Sequence, residues 1–175
     1  MLLFLINILK YLASVLFSFR SKPLCLQVDS PHLGAVASLQ FQPCSPSPLL
    51  LSVGQDSRAK LWAASTSSWT CSSSLQLRGL ACTAGSWSSD GTVHGLAFSH
   101  LVTLWDTESR LRSTLAVEGA TEAVSSLAFG WGPSARLLFA GTQSKVAAWD
   151  LLSLAPAWST GIDLSPHTRS VDGGG

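Results

Sequence analysis

The sequence predicts an all-β chain: a partial β-propeller of about three four-stranded blades, preceded by an apolar N-terminal helix. Three observations carry this prediction. Trp62, Trp105 and Trp149 recur at intervals of 43 and 44 residues. Around them lie short apolar runs, four to a unit, too short for helices and separated by Gly, Ser, Asp or Pro. A period of about 40 to 45 residues with four strands per unit is that of a propeller blade.

The N-terminal region, residues 1–23, stands apart. Residues 2–19 are apolar with Lys10 in their middle, and twelve of them are Leu, Ile, Val or Phe. At ~0.3 to 0.6 kcal/mol each, these favour bilayer insertion by about 4 to 7 kcal/mol, and a central Lys takes back about 2.5 to 3.5. Three readings stand side by side: a foreign exon, a signal anchor that leaves the following domain on the cytosolic side of a membrane, and a cleaved signal. The last wants its positive charge ahead of the apolar run, whereas Lys10 lies inside it.

Residues 24–164 hold the repeats, in windows of about 30–78, 79–118 and 119–163. Unit one contains "AVASLQF", "LLLSVGQDS", "RAKLWAAS" and "WTCSSSLQL". Unit two contains "ACTAGSW", "TVHGLAFSH", "LVTLWDTES" and "LRSTLAVE", and unit three "AVSSLAFG", "ARLLFAGTQS", "KVAAWDLLS" and "APAWSTGI". Phe41, Trp87 and Phe129 end the first strand of their units, about twenty residues before the recurring Trp. Six residues before each recurring Trp sits a polar residue: Asp56, Ser99 or Gln143. The tail, residues 165–175, has no strand signal and is expected to be disordered.

These features resemble WD40 repeats. The resemblance places His32, Asp56 and Trp62 in that family's structural hydrogen-bond set, where a buried Asp at the turn between strands two and three orients the His. It matches Trp105-Asp106 and Trp149-Asp150 to the WD dipeptide. A wide indole suits the wedge between blades, and a buried carboxylate must be paired to be tolerated. Ser99 and Gln143 stand where units two and three would carry the Asp, so those blades are expected to lose the charge-assisted bonds and some rigidity.

Over roughly residues 28–160 the chain is similar to the second propeller of the WD repeat-containing protein 75 family. The stretches that carry the likeness are "PHLGAVASLQF", "LLSVGQDSRAKLW", "CTAGSWSSDGTVHGLAFSHLVTLWD" and "WDLLSLAPAW". Members of that family are nucleolar WD40 subunits of the small-subunit processome, in its UtpA module, and carry two propellers on a longer chain. The resemblance implies a fragment of the second propeller. It implies a non-enzymatic scaffold for protein–protein interaction in ribosome biogenesis, acting in pre-rRNA transcription and processing. The implied partners are other WD40 proteins of the UtpA module, with pre-rRNA or snoRNA reached indirectly. The alternative is a membrane-anchored cytosolic WD40 adaptor, with residues 2–19 as the anchor.

Composition narrows the function classes. Hydrophobic residues make up 46% and charged residues 12%, about half the usual charged share. A net charge of +1 gives no sign of a nucleic-acid channel or a polybasic membrane patch. Cys25, Cys44, Cys71 and Cys82 have no CxxC spacing and are too sparse for a disulfide scaffold, so they read as buried or partly buried thiols of a reducing compartment. No nucleophile motif such as GxSxG is present. His94 and His100, near Asp90 and Asp106, read as polar residues at blade rims. His32 reads as the partner of Asp56, since a lone His makes no metal site. No cofactor, metal or catalytic residue is expected. The Ser-rich run 63–74 reads as a solvated turn followed by a strand.

Of the tryptophans, Trp62, Trp105 and Trp149 lie at core spacing. Trp69, Trp131 and Trp158 fall off the period and are the candidates for partner contact, although few Lys or Arg accompany them as a single-stranded RNA groove would need. WD40 adaptors of cullin-type ubiquitin ligases usually carry Arg or Lys two positions after the WD, where this chain has Glu108 and Leu152. Three blades leave two open faces, so residues 24–165 alone are expected to aggregate or self-associate.

Overall fold

A computed structural model describes residues 31–64, 68–77 and 80–161, with side chains up to Trp158. The apolar segment 2–19, the tail 165–175 and the centre of the Ser-rich run lie outside the described residues. Among the described residues, no helix is long and apolar enough to cross a membrane.

Twelve strands form three four-stranded antiparallel sheets, each in simple sequential order. Blade one comprises β1 (Val36–Phe41), β2 (Leu50–Gly54), β3 (Arg58–Ala64) and β4 (Trp69–Gln76). Blade two comprises β5 (Cys82–Trp87), β6 (Val93–Phe98), β7 (Leu101–Asp106) and β8 (Leu111–Ala116). Blade three comprises β9 (Ser126–Phe129), β10 (Leu137–Gly141), β11 (Lys145–Asp150) and β12 (Pro156–Gly161). The first strands are the inner ones: β5 touches both β1 and β9. A short 3-10 helix, Gly132–Ser134, lies in the loop between β9 and β10.

Residue type follows position in the blade. The middle strands β2, β6 and β7 are covered on both faces, so they read as nearly unbroken apolar runs. The outer strand β4 alternates, with Thr70, Ser72, Ser74 and Gln76 exposed and Trp69, Cys71, Ser73 and Leu75 half-buried.

The register sorts each sheet into a forward face, toward the next blade, and a backward face. In blade one, Gln40, Leu51 and Leu61 share the forward face, and Phe41, Leu50 and Trp62 share the backward one. The trio at the equivalent backward place in blade two is Trp87, His94 and Trp105, and in blade three Phe129, Leu138 and Trp149. Two cores result. Leu51, Val53, Leu61, Trp87 and Leu96 pack between blades one and two. Ala97, Val102, Leu104, Leu138 and Trp149 pack between blades two and three. Gly85 marks how closely the first pair approaches: a Cβ there would meet Val53 Cγ2 at 2.4 Å.

Candidate functional site

A relay of four side chains crosses blade one. The indole Nε1 of Trp62 donates to Ser52 Oγ at 2.8 Å. Ser52 Oγ lies 2.7 Å from His32 Nε2, and His32 Nδ1 lies 2.9 Å from Asp56 Oδ1. Donor chemistry orders the relay. An indole N–H only donates and an ionised carboxylate only accepts. Ser52 therefore accepts from Trp62, and His32 Nδ1 donates to Asp56; with the imidazole neutral, Ser52 in turn donates to His32 Nε2. Asp56 also accepts from the backbone N–H groups of Leu33 and Arg58, at 2.9 and 3.2 Å. Burial pushes its carboxyl up, and the hydrogen bonds from His32, Leu33 and Arg58 outweigh this and hold it below the usual value. Lys60 Nζ lies over the Trp62 ring, 5.6 Å from its centroid.

Ser52 is the member of this set that the spacing did not single out. Its signal was a hydroxyl inside the otherwise apolar run "LLSVG".

Blades two and three are tied differently. Trp105 Nε1 donates to Thr103 Oγ1 on its own strand at 2.8 Å. Between β6 and β7, Ser99 takes a positive φ of 50° and its hydroxyl contacts His100 Nδ1 at 3.2 Å. Between β10 and β11, Thr142 Oγ1 accepts from the N–H groups of Ser144 and Lys145. Gln143 is exposed there, and Ser144 donates to Glu122. The aspartates after the recurring Trp close the turns before β8 and β12. Asp106 accepts from the N–H groups of Glu108 and Arg110 and pairs with Arg112 at 2.9 Å. Asp150 accepts from Leu152 and Ser153 and pairs with Arg136. Both carboxyls are held below their usual value, chiefly by those backbone N–H groups. Blade one has Ala63 at this place.

Trp62 and Trp149 are buried and Trp105 is half-buried against the first core. Trp69 is half-buried with its ring 5.8 Å from Phe41. Trp158 packs against Phe139 with ring centroids 6.0 Å apart and ring planes tilted by 59°, and it stays 45% exposed. Trp131 is 81% exposed beside the short 3-10 helix, as is Leu152 on the turn before β12.

Two expectations are corrected. His94 was expected at a blade rim with His100. His100 is exposed on the turn between β6 and β7, but His94 is fully buried on β6, in the slot that Leu50 and Leu138 fill in the other blades. Its ring lies 4.8 Å from that of Trp87. Among the described residues, neither His94 nitrogen nor Trp87 Nε1 has a hydrogen-bond partner. Burial drives the His94 pKa down to about 4, against a smaller opposing pull from Asp106. The cysteines were expected to be buried or partly buried. Cys82 is buried, and burial raises its thiol to about 12. Cys71 is half-buried, but Cys44 is exposed in the loop between β1 and β2.

The loops at the Phe41 end of the blades enclose two clefts. One, of about 520 Å³, lies between blades one and two and is lined by Gln42, Cys44, Asp90 and Arg110. The other, of about 470 Å³, lies between blades two and three and is lined by Val93, Leu104, Arg112, Leu151 and Leu152. Among the described residues, no group of three His, Cys, Asp or Glu side chains is placed to hold a metal ion.

Comparison with known proteins agrees with this architecture. The family model described as the WD repeat-containing protein 75 second beta-propeller matches residues 14–170. WD repeat-containing protein 75 of Danio rerio is 26% identical over 145 residues, which is 79% of this chain and 17% of that protein. The Homo sapiens protein of the same name is 24% identical over 150 residues, 79% of this chain and 18% of its own length. The chain thus spans less than a fifth of the length of these relatives. Three sequential four-stranded blades, the blade-one relay and a family match over most of the chain lead to one conclusion: the chain belongs to the family of the WD repeat-containing protein 75 second beta-propeller.

Proposed function

We propose that the chain is a non-enzymatic WD40 scaffold that binds other proteins, and that it serves ribosome biogenesis, in pre-rRNA transcription and processing within the small-subunit processome of the nucleolus. The observation that carries the reading is the family match laid over a stack of blades. Ser52, His32 and Asp56 of blade one are used internally, in the relay, while Trp131 and Leu152 stand exposed on loops at one rim. Loops on a rigid scaffold are the usual carriers of binding, and aromatic residues anchor interfaces well. The partners are other WD40 proteins of the UtpA module, with pre-rRNA or snoRNA reached through them.

Expression of the tagged chain in cells tests this. The expected result is nucleolar enrichment and co-purification of UtpA-type WD40 proteins, weakened by Trp131→Ala together with Leu152→Ser. A chain that stays outside the nucleolus and captures no WD40 partner would overturn it.

A further inference from the structure

We propose, on the footing of the scaffold role above, that the cleft between blades two and three receives an extended segment of a partner protein. An apolar side chain of that segment sits between the blades, and an acidic one pairs with Arg112. The cleft holds about 470 Å³, within the ~300 to 1,000 Å³ usual for ligand sites. Val93, Leu104 and Ser113 line it from blade two, and Leu151, Leu152 and Leu154 line it from blade three. Leu152 lines the cleft and is still 81% exposed, and Leu154 is 39% exposed. The apolar surface therefore runs from the seam out onto the rim, where a small enclosed ligand would leave it uncovered.

The seam between blades one and two shows that blade packing does not impose such a lining. There the turn before β8 supplies Thr107, Glu108 and Arg110 to the cleft. At the second seam the corresponding turn, before β12, supplies the three leucines. The two turns share a plan. Each is closed by N–H groups that donate to its Asp, and each holds one residue at positive φ, Ser109 at 63° and Leu154 at 56°. Left-handed backbone is uncommon outside Gly, Asn and Asp, and for a bulky side chain it is an outlier. Such outliers gather at ligand sites. A leucine at position 154 thus gives up local stability and adds apolar surface to an open cleft.

Charge selects the occupant. The charged residues that line the cleft are Asp90 and Arg112. Both oxygens of Asp90 accept from its own turn, from Ser88 Oγ at 2.6 Å and from Thr92. Arg112 pairs through Nη2 with Asp106 at 2.9 Å, and its side chain stays 61% exposed. A guanidinium carries several N–H donors in a planar fork, suited to more than one carboxylate. The charge that the cleft can still pair is therefore positive, and it stands beside the leucines. An extended chain with Leu, Ile or Phe next to Asp or Glu meets both demands.

The test uses the full chain and a random peptide library displayed on phage. Selection is expected to enrich peptides with Leu, Ile or Phe beside Asp or Glu. An enriched peptide, synthesised and labelled, is expected to bind at least about tenfold more weakly to the Leu152→Asp chain and to the Arg112→Gln chain. Both substitutions fall on exposed side chains, and where one loses its strand content the other decides. A photoreactive phenylalanine analogue in place of Leu152 is expected to cross-link to the peptide. No enrichment, enriched peptides without a carboxylate, or binding indifferent to either variant with its strand content kept would overturn the proposal. So would a cross-link from position 152 to a second copy or to another segment of the same chain. Any of these together with nucleolar enrichment and capture of WD40 partners would leave the scaffold role standing and remove the cleft from it.

Discussion

Ser52 holds blade one together at a single hydroxyl. Replacing it with Ala leaves Trp62 Nε1 and His32 Nε2 without their partner in a buried setting. An unsatisfied buried polar group costs about 1 to 3 kcal/mol, so Ser52→Ala is expected to lower unfolding stability by that order in a denaturant titration. His94 makes the opposite prediction. It stands in a slot filled by leucine in the neighbouring blades and has no hydrogen-bond partner among the described residues, so His94→Leu is expected to stabilise the fold by about 1 to 3 kcal/mol. The sign of the pH effect follows from its pKa. Folded His94 titrates at about 4, below the ~6.5 of an unfolded histidine. The unfolded chain therefore binds the extra proton first, and stability falls as pH drops from about 6.5 toward 4, by on the order of 3 kcal/mol. Unfolding measured across that range is expected to show this slope, and His94→Leu to remove its share. The spacing around Trp62 brings out His32 and Asp56, whereas Ser52 is hard to single out because serine is common in the turns of this chain. Asp90 and Asp106, on either side of His94 in the sequence, suggest a polar rim where the fold has a buried strand. The period-two parity of His94 with Leu96, inside "VHGLAF", is the better guide to burial.

At the level of elements, the four strands of each blade were legible because short apolar runs, turn residues and a fixed period agreed with one another. The faces of those strands were less legible. Middle strands buried on both sides show no alternation, so only the pairing register reveals that Leu51 looks forward and Leu50 backward. Bulges add to the difficulty: the register shifts between Leu61 and Trp62, and again between Leu104 and Trp105, and reverses the parity of the outer strand each time. Gly85 shows what the blade interface demands. A methyl group there would meet Val53 at 2.4 Å and Leu51 at 3.2 Å, inside a packed core. Gly85→Ala is expected to cost about 1 to 3 kcal/mol through overpacking, read as a lower denaturation midpoint. A substitution that leaves the midpoint unchanged would mean that the blades separate readily at this point.

Across the whole molecule, stability should follow position in the stack. Blade two is packed on both sides, while blades one and three each have one neighbour among the described residues. In a nearest-neighbour array the middle unit opens last. Hydrogen exchange is therefore expected to be slowest in β6 and β7 and fastest in β1 and β12, and uniform exchange would contradict this. Assembly of the stack could be read from the repeat, but its direction could not, because an indole every 43 or 44 residues does not say which way it looks. The register shows that Trp62, Trp105 and Trp149 all look backward. The array is consequently vectorial, like a row of bricks with studs on one side and sockets on the other. A graft meant to extend it must match the indole-bearing socket when spliced ahead of β1 and the Phe139 stud when spliced after β12, and a binder selected against one end would find no copy of its epitope at the other.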